Sequence, residues 1–279
     1  MGMTKNNEEI LQALEDFRLY LKAQHKADNT IHVYLNAVEQ YLRLYRQVDF
    51  DHLQLYKCFL MERYKPQTIN LRIRALNCYL EFLNDPQTRM VMIRVQQKTF
   101  VENVISQADY EYLKQCLVRD GNLSYYFIIR FMAATGVRVS ELVKFQVEDV
   151  QRGVMDVYSK DNKIRRVYIP RALRTDALRW LSNDGRTSGA LFLNRYGDPI
   201  TPAGIRGQLR KFAALYDLSP NVLHPHSFRH RFAKNFIEKC SDIALLSDLL
   251  GHENVETTRI YLQRSSTEQQ QIVNKVINW

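Results

Sequence analysis

No apolar run of about eighteen residues or more occurs in the 279-residue chain, so no membrane-spanning helix is expected. The opening residues, MGMTKNNEEI, lack the apolar stretch of a signal peptide, and a cytoplasmic location is expected. Cysteine is scarce. Cys58, Cys78, Cys116 and Cys240 are scattered and form no C-x-x-C pair, which argues against a zinc module or a disulfide scaffold and predicts four reduced thiols. No basic tail exists either: residues 1–100 hold 14 Lys+Arg against 11 Asp+Glu, and the remainder holds 25 against 19. The net charge of +9 is therefore spread over both halves, and it suits a polyanionic partner such as nucleic acid. With 46% hydrophobic and 25% charged residues, the chain can bury a core and is not globally disordered.

What is present is helical periodicity. Ile10, Leu14, Phe17 and Leu21 share one helix face, and Ile31, Tyr34, Leu35, Val38, Tyr41 and Leu42 share another after a cap at Asn29 or Thr30. A third helix is predicted over 51–63, and a fourth starts near Pro66 with Ile69, Ile73, Leu76, Tyr79, Leu80 and Leu83. These make an all-α domain over residues 1–85. Residues 86–104 lose the period and are read as a linker. Ser106 and Asp109 open the next helix, and the apolar stretch 124–135 predicts a buried one stopped by Gly136. Residues 153–169 change to a β pattern around the polar turn Ser159–Lys163, predicting a hairpin. Helices return at 171–183, 202–215, 227–239, 242–250 and 255–262. The fold class is mainly α with one small β-hairpin, in two domains: 1–85 and 105–263, with a C-terminal segment at 264–279.

The second domain carries an ordered set of reactive residues: Arg138, Lys160, His226, Arg229, His252 and Tyr261. Transfer of a phosphodiester needs these types. Guanidiniums fork onto non-bridging oxygens and stay charged, a phenol with a pKa of roughly 10 needs a base or a positive field, and histidine titrates in the useful range. Each has a plainer reading. Arg138 could pair with Glu141, Lys160 could be a solvated turn residue, Tyr261 is one of 16 tyrosines, and His226 with His230 at i, i+4 could be a metal pair.

The boxes GVRVSEL (136–142), HSFRH (226–230), LGH (250–252) and TTRIYL (257–262) resemble the signature of the tyrosine recombinase family, and Tyr261 stands nine residues after His252, the spacing usual in that family. The resemblance is strong over about 105–265 and looser in the helical N-terminal part. It implies that Arg138 and Arg229 clamp a scissile DNA phosphate. His252 would hydrogen-bond that phosphate, and His226 would assist proton transfer at the tyrosine. Tyr261 would form a 3′-phosphotyrosyl bond, Lys160 would protonate the leaving 5′-oxygen, and Glu141 would support the arginines. Lys163 is a second lysine candidate, because Lys160 is followed by Asp161 where the family often has glycine. No metal, ATP or organic cofactor is implied.

The family closes as a two-domain clamp on duplex DNA. Candidate contacts are Thr68, Asn70, Arg72 and Arg74 in the first domain, and Lys163, Arg206, Arg210 and Lys211 in the second. The tail with Ile272, Val273, Val276, Ile277 and Trp279 is an apolar stripe expected to dock on a neighbouring protomer of a tetramer. The implied function is site-specific recombination through a Holliday junction. A type IB topoisomerase uses similar residues, and a helix-turn-helix regulator would account only for IALLSDLLGHENVETTRIYL.

Overall fold

Hydrophobic stripes at helical spacing in the first hundred residues are realised as four helices in a computed structural model that describes residues 2–85, 88–95, 103–158, 164–252, 254–261, 273–275 and 277. The chain forms two compact units, Met1–Gln97 and Lys98–Trp279. No described helix is long and apolar enough to cross a membrane.

The first unit contains α1 (Gly2–Ala23), α2 (Asp28–Leu44), α3 (Phe50–Arg63) and α4 (Pro66–Phe82). Their apolar faces meet around Phe17, Leu21, Val38, Tyr41, Leu53, Tyr56, Leu60 and Ile73, all fully buried. Burying each such side chain contributes about 1.5–3 kcal/mol before entropy is charged. Asp49 caps α3 by accepting from the His52 N–H, and Pro66 sits in the first turn of α4, where its missing N–H costs nothing. The expected caps of α2, Asn29 and Thr30, are wrong. The helix starts a little earlier, from the N-cap Ala27, with the Asp28 carboxylate in its first turn.

Two amides on one face of α4 correct the linker boundary. Asn77 donates to the Met90 carbonyl (3.0 Å) and accepts from the Met90 N–H (2.9 Å), while Asn70 makes the same pair with Ile93, both at 2.9 Å. Residues 88–95 therefore lie along α4 and close the unit, with Met90 buried.

In the second unit, α5 (Gln107–Arg119) is capped by Ser106, which accepts from the Asp109 N–H. It is followed by α6 (Leu123–Thr135), α7 (Val139–Leu142), α8 (Val147–Arg152), the hairpin β1 (Val154–Tyr158) and β2 (Ile164–Tyr168), then α9 (Arg171–Asn183), α10 (Pro202–Leu215), α11 (Pro225–Lys239), α12 (Ile243–Leu250) and α13 (Glu256–Arg259). The strands pair antiparallel with Val154 opposite Tyr168. Helices α6 and α11 pack together at the centre, and Phe131, Phe145, Phe192, Phe212 and Phe228 fill the core around them. The helix expected over 255–262 is a single turn, α13. Lys160, Lys163, the rest of the turn between the strands, and the C-terminal stripe with Trp279 lie outside the described residues, apart from the exposed Val273 and Ile277.

Candidate active site

The site is built where two helices stop. Helix α6 ends at Gly136 (φ +64°) and α12 ends at Gly251 (φ +63°), both in the left-handed conformation that glycine enters without strain. Neither position has room for a side chain: a Cβ at 136 would overlap the Phe232 ring, and one at 251 would lie 2.8 Å from Arg165 Cδ. The carbonyls freed at these C-termini are the negative poles of their helices. They are taken up by arginines. Arg229 of α11, 4% exposed, donates Nη1 to Gly136 O and Nη2 to Leu250 O, each at 2.8 Å. Arg138, just ahead of α7, donates Nη2 to Gly251 O at 3.2 Å. Arg165 of β2 donates Nη1 to Leu249 O at 2.8 Å.

One carboxylate serves this cluster. Glu141 accepts from Arg138 Nη1 (2.9 Å), from the Arg138 backbone N–H (2.8 Å) and from Arg165 Nη2 (2.6 Å). The ion pair between Arg138 and Glu141 is thus real, and it belongs to the same cluster as the reactive residues. Glu141 pairs with two of the three guanidiniums, and the rest of their hydrogen bonding goes to neutral carbonyls. Positive charge is left over. Burial, then Arg138 and Arg165, push Arg229 down to about 10, so it remains charged near neutrality. The field acts on the histidines too. His252 is lowered to about 4 by burial first and then by Arg229, Arg138 and Arg165. Its Nδ1 lies 2.7 Å from the buried hydroxyl of Thr258, which fixes the ring.

Helix α11 supplies the other side chains. His224 caps it, its Nδ1 accepting from the Ser227 N–H at 3.3 Å. His226 in the first turn keeps part of its ring in solvent. Desolvation of the rest lowers its pKa, followed by Arg229, His224, Arg138 and Arg206. Arg206 of α10 is thus close enough to be felt at the site. Tyr261 follows α13 and packs beside Ala233, Ile237, Leu246 and Leu250. Burial pushes its phenol up to about 12, opposed by Arg229.

The structure thus brings Arg138, Glu141, His226, Arg229, His252 and Tyr261 together. Two residues of the cluster were missed. Arg165 gave no signal beyond a charge in a strand. His230 was read only as half of a metal pair, yet its Nδ1 lies 2.6 Å from Tyr261 Oη, so the tyrosine's partner is His230 and not His226. Among the described residues no set of three metal-ligating side chains includes that pair. The expected DNA contacts divide. Arg74, Arg206, Arg210 and Lys211 are exposed, and Thr68 is half-buried. Asn70 is a correction: it is buried, and its amide is spent on Ile93. Arg72 is also engaged internally, donating Nη1 to Gln40 and lying 4.5 Å above the Tyr64 ring.

The second unit thus gathers the guanidiniums of Arg138, Arg165 and Arg229 beside a buried tyrosine, an arrangement suited to an oxyanion. The phage integrase family model matches residues 101–268. The tyrosine recombinase XerC of Herpetosiphon aurantiacus is 30% identical, covering 91% of each chain. The tyrosine recombinase XerA of Pyrococcus furiosus is 26% identical over 95% of this chain and 93% of its own. Among solved structures, the Tn1549 transposon integrase in complex with a circular intermediate DNA has a TM-score of 0.75 over 94% of this chain and 98% of its own; at 16% identity that likeness speaks for the fold alone. The chain belongs to the phage integrase family, the tyrosine recombinases, and is an enzyme that acts on DNA.

Proposed function

We propose that this chain is a site-specific recombinase that cuts and rejoins DNA through a covalent bond between Tyr261 and a 3′-phosphate. The observation that supports it best is the surplus of positive charge beside the phenol: among the described residues, Glu141 pairs with Arg138 and Arg165, while Arg229 is met only by the carbonyls of Gly136 and Leu250. A phosphodiester brings the missing negative charge, and more develops on its oxygens as phosphorus is attacked. Arg138, with 41% of its side chain exposed, and Arg229 behind it hold that phosphate. His226 and His252 donate hydrogen bonds to it. Tyr261 Oη attacks phosphorus, the bond to the 5′-oxygen breaks, and Lys160 (or Lys163) gives that oxygen its proton. The covalent bond keeps the energy of the broken phosphodiester, so a 5′-hydroxyl from a second duplex reverses the step without ATP. Two such exchanges within a tetramer on paired sites pass through a Holliday junction. The C-terminal segment ending in Trp279 would link the protomers.

A suicide substrate tests the reading. A nicked duplex carrying a site that the protein binds should trap a covalent protein–DNA adduct, and Tyr261→Phe should trap none. Arg138→Lys should slow adduct formation while leaving binding nearly intact, because the charge stays and the fork is lost. A wild-type protein that binds its site and forms no adduct would sink the proposal.

A further inference from the structure

Tyr261 Oη and His230 Nδ1 are 2.6 Å apart, with ring centroids 5.7 Å from each other. His230 stands one turn after His226 on α11, and those two rings are 6.4 Å apart. We infer that His230 is the general base of strand cleavage, taking the phenolic proton of Tyr261 as its oxygen attacks phosphorus. This rests on the reading of Tyr261 as the nucleophile.

The geometry fixes the direction of the proton. With its own hydrogen on Nε2, His230 presents the Nδ1 lone pair to the phenol, and the hydroxyl donates to it. As the oxygen–phosphorus bond forms, the proton passes to Nδ1 and His230 becomes an imidazolium. The bond to the 5′-oxygen breaks, and that oxygen takes its proton from the lysine ammonium. On rejoining, an incoming 5′-hydroxyl gives its proton to the lysine, and the departing phenolate takes one back from His230. Protons balance over the cycle.

The surroundings suit a base that waits in its neutral form. Among the described residues, the titratable and charged groups acting on His230 are Tyr261 from beyond α13, His226, His224 and Arg229 from α11 and its cap, and His252 after α12. Burial first, and then His226, His224 and Arg229, lower its pKa to about 4, while the phenol it faces is pushed up to about 12. A bound phosphate moves the imidazole in the opposite direction, toward the range where a base works near neutrality. His226 is exposed and makes no hydrogen bond to the tyrosine, which leaves it free to reach the phosphate.

The test is single-turnover cleavage of the suicide duplex by the full chain, followed over about pH 5 to 9. It compares wild type, His230→Asn, His230→Ala and His226→Asn, with thermal unfolding and DNA affinity measured alongside. Asparagine sets an acceptor near the Nδ1 position but takes no proton. The expected result is wild-type DNA affinity for His230→Asn with cleavage about 100-fold slower near neutrality. That deficit shrinks as pH rises and the phenol ionises unaided. Added imidazole recovers part of the rate of His230→Ala. A wild-type rate in His230→Asn would show a positioning hydrogen bond only and overturn the inference. So would a deficit that does not change with pH, or the pH-sensitive loss appearing in His226→Asn instead. Those outcomes leave the adduct of the wild-type protein intact; absence of that adduct on a bound site defeats both this inference and the function it rests on.

Discussion

Both units bury polar side chains, and they do so to opposite ends. In the first unit, Asn70 and Asn77 meet backbone groups donor for acceptor. The amides close their hydrogen bonding and hold a segment of chain in place. In the second unit, Arg229 is as deeply buried as Asn70, at 4% against 7% exposed, yet it is met by carbonyls and by no carboxylate. Polar burial that ends in neutrality is architecture. Polar burial that leaves charge unspent is an unmet demand for a ligand of opposite sign.

The comparison breaks or holds first at Arg229. Arg229→Lys should cut adduct formation by about 100- to 1000-fold, with DNA binding kept, because the compact ammonium loses the planar fork that spans the two carbonyls and the phosphate. If the variant instead cleaves normally and only melts earlier, that arginine is architecture like the amides of the first unit. Acid comes next. His230 and His252 are both lowered to about 4 from an ordinary 6.5, so the unfolded chain binds more protons between those values. Their contribution to stability is complete above pH 6.5 and is lost as pH falls toward 4. Calorimetry of the full chain should show the melting of the second unit shifting down across that window; a flat or rising trend contradicts the neutral histidines. Asn70→Ala should cost about 1–3 kcal/mol in denaturant unfolding, from the stranded groups of Ile93, with no loss of DNA affinity. An affinity loss without a stability change would return Asn70 to the DNA surface. Least, Arg210→Ala should weaken DNA binding modestly and reduce the slope of log affinity against log salt by about 0.9.

What could be read in the sequence follows the range over which each signal acts. Apolar spacing is local, so the helices were visible; caps and the end of a short helix depend on neighbours, so α2 and α13 were misjudged at their ends. Arg138, His226, Arg229, His252 and Tyr261 sit in short boxes and could be found one box at a time. Arg165 acts through Glu141 and Leu249, 24 and 84 residues away, and nothing near it in the chain announces that. His230 did carry a signal, its i, i+4 relation to His226, but the partner that gives it meaning comes 31 residues later. Asn70 was placed on the DNA surface because a buried amide and a solvated one are spelled alike. Only the fold distinguishes them, by bringing Ile93 alongside.

Gly251 has no functional group, yet its carbonyl receives Arg138 and its bare α-carbon makes room for Arg165. A genetic survey scored on recombination alone would therefore rank it beside residues that carry chemistry. Gly251→Ala is expected to fail twice over, since its left-handed backbone strains any side chain and its Cβ would push Arg165 off Leu249 and Glu141; shortening the residue at 165 relieves the overlap without restoring the site.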